Sequence, residues 1–259
     1  CNLAESLLAR GHMVFRIDNL CRGSLANLAK VSTNQRFKFA ELEMTDIAAY
    51  RRAFAEFHSI DPVTEVWHLA ANSDIPAGIE NAEVDLRDTF MTTHNTLLLM
   101  KEFKVPAIFF ASSSAVYGDH GERELVEDIG PLLPISNYGA MKLASEAAIS
   151  AAAESYLKRA YLFRFPNVIG IPATHGVMLD FVRKLAETPN NLTVLGDGTQ
   201  QKGYLHVEEL IDAMLFIQDK CDDKISIYNI GSGDEGVTVR FIAEETVRAV
   251  APSASITFG

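Results

Sequence analysis

Apolar positions recur at helical spacing through residues 2–10 and stop at Gly11, a residue suited to a left-handed helix end. A short apolar strand, 13–17, follows and ends at Asp18. The alternation continues, predicting strands at 37–40, 65–69, 107–112 and 161–165 and helices at about 46–58, 81–103 and 136–157. Strands alternating with helices build right-handed crossover units, so the pattern predicts an α/β fold around a doubly wound parallel sheet. After Pro166 the periodicity loosens. A helix at 175–188, a strand at 192–195, a tight turn at Gly196-Asp197-Gly198, a helix at 207–218, a strand at 227–230, a helix at 238–250 and a strand from Ser255 are expected there. This tail reads as a smaller lobe over the carboxyl edge of the sheet, where ligands of open α/β sheets bind.

Composition narrows the partners. At 259 residues and 48% hydrophobic content, the chain can bury a large core. A net charge of -11 argues against nucleic acid, whose binders concentrate Lys and Arg on one face. No apolar run approaches the roughly 20 residues that span a bilayer, and no signal-peptide pattern opens the chain, so no membrane partner is expected. Cys1, Cys21 and Cys221 are scattered and odd in number, which reads as reduced thiols in a cytoplasmic protein. No His, Cys or carboxylate cluster suggests a metal, and His68, within an apolar strand, reads as a packed structural histidine.

The candidate chemistry lies in two short runs. Tyr138 and Lys142 stand four residues apart at the start of a predicted helix, hence on one face. The triplet Ser112-Ser113-Ser114 directly follows the apolar strand. A phenol ionises near pH 10, and a neighbouring ammonium that stabilises its phenolate lowers that value. Beside a bound nicotinamide, Tyr138 can then act as a general base on a carbinol whose hydroxyl Ser113 orients. A Tyr-x-x-x-Lys spacing also arises by chance on helix surfaces, and a serine triplet can be only a polar turn. The joint order of strand, serines, proline-bearing loop and tyrosine favours the chemistry. Asp18, ending its strand, suits the adenosine ribose hydroxyls and disfavours a 2′-phosphate, although a solvated aspartate opening a turn fits equally and Arg22 nearby keeps NADP open. A glycine-rich phosphate loop is absent ahead of the first helix, so a first strand and that loop are expected to be missing from this sequence.

Several ordered motifs carry a family resemblance: Ile17-Asp-Asn-Leu20, Trp67-His-Leu-Ala-Ala71, Ala111-Ser-Ser-Ser-Ala-Val-Tyr-Gly118, Tyr138 to Lys142, Arg164-Phe-Pro-Asn-Val-Ile-Gly170 and Leu195-Gly-Asp-Gly198. Through them the chain resembles the extended short-chain dehydrogenase/reductases, in the nucleotide-sugar epimerase/dehydratase branch, with its nearest likeness among UDP-glucose 4-epimerases. The resemblance implies a Rossmann-type domain over 1–170 that binds NAD, with a return segment at about 203–232, and a smaller C-terminal substrate lobe over 171–202 and 233–259. It places Asp18 and Asn19 on the adenosine ribose, Glu43 and Met44 near the adenine, and Leu69, Ala70, Ala71 and Pro166 along the cofactor. Ser112 falls by the nicotinamide ribose, and Ser113, Tyr138 and Lys142 match the catalytic triad. Asn167, Thr193, Leu195 and Lys202 match positions that hold a UDP-sugar, Lys202 standing where the family commonly has a diphosphate-binding arginine. A second such arginine would lie beyond Gly259. Asp88 and Thr89 occupy a region where relatives place asparagine. The family pairs the helices here placed at 81–103 and 136–157 across a homodimer.

Dehydratases and decarboxylating relatives carry acidic residues just after the catalytic hydroxyl, to eliminate water. This chain has Ser114 and Ala115 there. The expectation is therefore an NAD-dependent nucleotide-sugar 4-epimerase. A dehydratase, decarboxylase or reductase of the same branch is the alternative, and a non-catalytic nucleotide-binding protein is a reading from another class.

Overall fold

Helix and strand alternate from the first residues of the protein, which a computed structural model describes at positions 1–259 other than Ser73 and Asp234. Helix α1 (Asn2–Ala9) leads into β1 (Val14–Asp18), and β2 (Phe37–Glu41) pairs parallel to it with Asp18 opposite Glu41. Helix α2 (Ile47–Ile60) opens on Asp46, whose carboxylate accepts the amides of Ala48 and Ala49 at 3.0 Å each. That satisfies donors which a helix start leaves open. Strand β3 (Glu65–His68) is followed by α3 (Ile75–Glu80), α4 (Ala82–Asp85), a π-helical turn over Leu86–Met91 and α5 (Thr92–Glu102). Then come β4 (Ala107–Ala111), α6 (Asn137–Ser155), β5 (Arg159–Arg164), β6 (Asn167–Ile169), α7 (Val177–Glu187), β7 (Asn191–Val194), β8 (Gln201–Lys202) and β9 (Tyr204–His206). The chain closes with α8 (Val207–Lys220), β10 (Ile225–Asn229), β11 (Val237–Thr238), α9 (Val239–Val250) and β12 (Ser255–Phe258).

Two compact units result: Cys1–Phe165 with Ala213–Ile230, and Pro166–Asp212 with Gly231–Gly259. In the first, β10-β5-β4-β3 form a parallel sheet, and β1-β2 form a separate parallel pair. All five residues of β4 are buried, as expected of a central strand covered by helices on both faces. Ile108, Phe110 and Leu162 pack with Leu99, Met100 and Ile149 in one core. Among its described residues the second unit pairs β7 with β12, β8 with β11 and β6 with β9, and has a core of Phe181, Leu185, Leu192, Val194, Ile242 and Val247.

The helix expected over 81–103 is broken. Asn81 is extended (φ -143°, ψ 105°), and its side chain accepts the amide of Glu83, so a new helix begins there. Ahead of it lies α3, with Asp74 as its cap and a proline in its first turn, a helix that the apolar pattern does not predict. The following segment passes through the π turn before α5 begins. Four threonines of this stretch, Thr89, Thr92, Thr93 and Thr96, are buried. The hydroxyls of Thr92, Thr93 and Thr96 donate to carbonyls one turn back, which lets polar residues line a packed face. The short strands β6, β8, β9 and β11 have two or three residues each, too few for a period-2 pattern.

Candidate functional site

Ser136 caps α6 by accepting the amide of Gly139 at 3.1 Å. The cap fixes the helix start, placing Tyr138 in its first turn, Lys142 one turn on and Glu146 another turn on. Opposite this stripe, buried β4 runs out at Ala111 into Ser112 and Ser113. Ser113 Oγ accepts the amide of Ala115 at 3.2 Å and caps a 3-10 turn over Ser114–Val116. Gly139 lets the helix lie against that turn, since a Cβ there would stand 2.4 Å from the Ala115 carbonyl oxygen. A backbone oxygen cannot swing aside as a side chain can. Gly139→Ala should therefore push the serine turn off the tyrosine, lowering kcat at least tenfold and destabilising the protein by about 1–3 kcal/mol in a urea titration.

The arrangement brings Ser113, Tyr138 and Lys142 together. Lys142 is buried, donates from Nζ to the Ala111 carbonyl at 2.6 Å, and lies 4.7 Å from the Phe110 ring centre and 5.8 Å from that of Tyr138. Burial pulls its ammonium down to about 7, with the Glu146 carboxylate acting in the other direction. Burial pushes the Tyr138 phenol up to about 12, a hydrogen bond with Ser113 pulls it back, and the charge of Asp85 raises it. The expectation that Lys142, helped by a bound nicotinamide, lowers the Tyr138 phenol thus meets an opposing effect. Desolvation of the phenol outweighs its neighbours in the protein by itself.

A buried ion pair underlies the stripe. Arg164, on β5, donates from Nε and Nη2 to the two Glu146 oxygens at 2.9 and 2.6 Å. Ser112 is buried too, and its hydroxyl donates to Glu146 rather than pointing to solvent. Sequence reasoning missed Glu146 and Arg164, although the four-residue step from Tyr138 to Lys142 continues to Glu146.

The other first-unit candidates follow the ends of parallel strands. Asp18 accepts the Leu20 amide at 2.8 Å and the Arg16 guanidinium at 2.7 Å, holding Leu20 in a left-handed turn (φ 56°). Asn19 Nδ2 donates to Glu43 Oε2 at 2.9 Å, tying the segment after β1 to the segment after β2. Arg22 pairs with Asp74 in the loop after β3. Met44 is buried in the core, and its carbonyl accepts Asn95 Nδ2 at 2.9 Å. Leu69 is half exposed, and Ala70 and Ala71 are partly buried. Of the two residues that replace asparagine, Asp88 is held by Arg87, and the buried Thr89 hydroxyl accepts the Asn72 amide at 3.1 Å.

Pro166, Asn167, Thr193, Leu195 and Lys202 belong to the second unit. Asn167 Nδ2 donates to the Gly203 carbonyl at 3.3 Å, which sets it beside the end of β8, where Lys202 is exposed. Thr193 lies on β7, its hydroxyl accepting Asn191 Nδ2 at 3.2 Å, and Leu195 is 80% exposed just beyond. Among the described residues no group of three or more His, Cys, Asp or Glu could hold a metal, and no helix is long and apolar enough to cross a membrane.

A family model for the NAD dependent epimerase/dehydratase family matches residues 1–231. The chain is 27% identical over 259 residues to UDP-glucuronate 4-epimerase of Thermodesulfobacterium geofontis, covering 97% of this chain and 77% of that one. It is 27% identical over 248 residues to dTDP-glucose 4,6-dehydratase of Neisseria gonorrhoeae, covering 88% and 68%. Among solved structures, UDP-glucose 4-epimerase of Thermus thermophilus in complex with NAD superposes with a TM-score of 0.85 at 27% identity, covering 98% and 81%.

The chain belongs to the NAD-dependent epimerase/dehydratase family of extended short-chain dehydrogenase/reductases, with its Rossmann-type fold, and its cofactor is NAD. The residues present fit that group. Asp18, at the end of β1, offers a carboxylate for ribose hydroxyls, Asn19 beside it is tied to Glu43, and Arg22, the cation that could receive a 2′-phosphate, is engaged by Asp74.

Proposed function

We propose that the protein is a nucleotide-sugar 4-epimerase of the UDP-glucose/UDP-galactose type. The grouping of Ser113, Tyr138 and Lys142 at the end of β4 is the observation that carries this reading. When bound, NAD+ supplies a hydride acceptor that becomes the donor of the return step, and a positively charged ring. Asp18, Asn19, Glu43 and the 69–71 stretch hold its adenosine side. Lys142 serves its nicotinamide side, while the buried Ser112 hydroxyl, donated to Glu146, braces the carboxylate behind that lysine.

Tyr138 takes the proton of the sugar 4-hydroxyl as the C4–H pair leaves, and Ser113 holds that hydroxyl in line. The resulting 4-keto sugar turns over within the site. Tyr138 returns the proton to the oxygen when hydride arrives on the opposite face, so no net oxidation results. In the second unit, Asn167, Thr193, Leu195 and Lys202 take the UDP portion.

Ser114 and Ala115 support epimerisation over dehydration. Ser114 is a weak acid and Ala115 has no proton to give, whereas eliminating water needs an acid and a base beside the sugar's 5 and 6 positions. We also propose a cytoplasmic homodimer through α5 and α6, and Leu86 and Leu98, 46% and 44% exposed, supply apolar surface near that face.

The test is direct. Purified protein supplied with UDP-galactose should produce UDP-glucose with no stoichiometric NADH. A product with the alkali-induced ultraviolet absorbance of a 4-keto-6-deoxy sugar would assign it to the dehydratases instead. Retained NAD without any sugar conversion would favour a binding protein.

A further inference from the structure

Asp85, the last residue of α4, has no exposed surface, and only one of its carboxylate oxygens is bonded. Its Oδ1 accepts Asn72 Nδ2 at 2.9 Å, while Oδ2 has no hydrogen-bond partner. Burying a carboxylate with an oxygen unsatisfied is unfavourable, and such groups call for an explanation in function or strain. The seat is specific. Gly78 of α3 covers Asp85 so closely that a Cβ on it would lie 1.8 Å from Oδ2. The Gly78 carbonyl accepts Asn137 Nδ2 at 2.8 Å, and Asn137 directly precedes Tyr138. One glycine therefore ties the buried carboxylate to the first turn of α6.

We propose that Asp85 is a positioning residue that sets the pH range in which Tyr138 works as the base, through a carboxylate seated behind the first turn of α6. The inference rests on the reading of Tyr138 as that base. Ser113 bonds the phenol from the end of β4, Lys142 lies 5.8 Å from its ring centre on the same helix, and Asp85 of α4 is held against Gly78, whose carbonyl binds the residue before Tyr138. Behind Lys142 lie Glu146, neutralised by Arg164 of β5, and His68 of β3, which burial holds uncharged at about 3. Among the described residues of this set, Asp85 is thus the carboxylate with no cationic partner. Its charge opposes the phenolate, so Tyr138 stays protonated in the resting site, and the phenolate, once formed, is the stronger base toward the sugar hydroxyl.

The experiment uses the full chain loaded with NAD, with two readouts: the pH dependence of kcat on UDP-galactose, and the tyrosinate absorbance titration of Tyr138, isolated by subtracting that of Tyr138→Phe. In Asp85→Asn the isosteric amide removes the charge. The acid limb of kcat and the tyrosinate midpoint should both move down by about one pH unit, with KM little changed. In Asp85→Ser a smaller polar side chain removes the charge in a second way, and both should again move down. Readouts unmoved in Asp85→Asn, or moved upward, overturn the proposal. Should Asp85→Asn not fold, Asp85→Ser decides it by the same titration, an unmoved or raised midpoint overturning it. The titration needs no turnover, so it reads the effect of Asp85 even if Tyr138→Phe turns out active and the base reading fails.

Discussion

Tyr138→Phe will abolish sugar turnover, by at least about a thousandfold in kcat, while the purified protein still binds NAD. General acid–base catalysis by one positioned group is worth about 10²–10⁴-fold, and here the same oxygen serves both half-reactions. The substitution removes only the hydroxyl from a ring that stays packed 5.8 Å from Lys142. The fold should therefore be unaffected, and a thermal melt should report it. A variant within tenfold of the parent would remove Tyr138 from the chemistry. The structure adds a reason why loading matters. Burial, above all, holds the phenol up at about 12, so the base becomes competent with a positive ring and a substrate hydroxyl beside it.

Glu146→Ala should unfold the protein far more readily, by about 3–5 kcal/mol, because it leaves the Arg164 guanidinium buried without its partner. Both side chains are nearly inaccessible, at 2% and 5% exposure, so solvent cannot take over. Three groups depend on Glu146: Arg164 by two hydrogen bonds, the Ser112 hydroxyl, and the ammonium of Lys142 by charge. Replacing both members at once, Glu146→Leu with Arg164→Met, should recover much of the loss, since an apolar pair removes both desolvation penalties. Urea denaturation of the single and double variants checks it. Equal loss in the two would mean that packing, and not the stranded charge, sets the effect.

The fold was legible where apolar periodicity was strong. The fully apolar strand 107–111 and the alanine-rich helix that starts at Ser136 stand where their patterns put them. It was illegible where threonines take core positions, as in the stretch containing Thr89, Thr92, Thr93 and Thr96, and where strands shrink to two residues. For the candidate site, spacing on one helix sufficed to align Tyr138 with Lys142. The groups that surround them were hidden because they come from elsewhere in the chain. Asp85 is separated from Tyr138 by more than fifty positions and reaches it through Gly78, and Arg164 arrives on another strand. No local pattern encodes such contacts. The charge states were likewise hidden, since the desolvation that lowers Lys142 and raises Tyr138 depends on packing.

The fate of the hydrogen on C4 tests the central claim most directly. Supplied with UDP-galactose deuterated at C4, the NAD-loaded protein should yield UDP-glucose that keeps the deuterium at C4, because hydride that leaves one face returns to the other within one site. UDP-glucose carrying solvent hydrogen at C4, or deuterium found instead at C6 of a 4-keto-6-deoxy sugar, would contradict it.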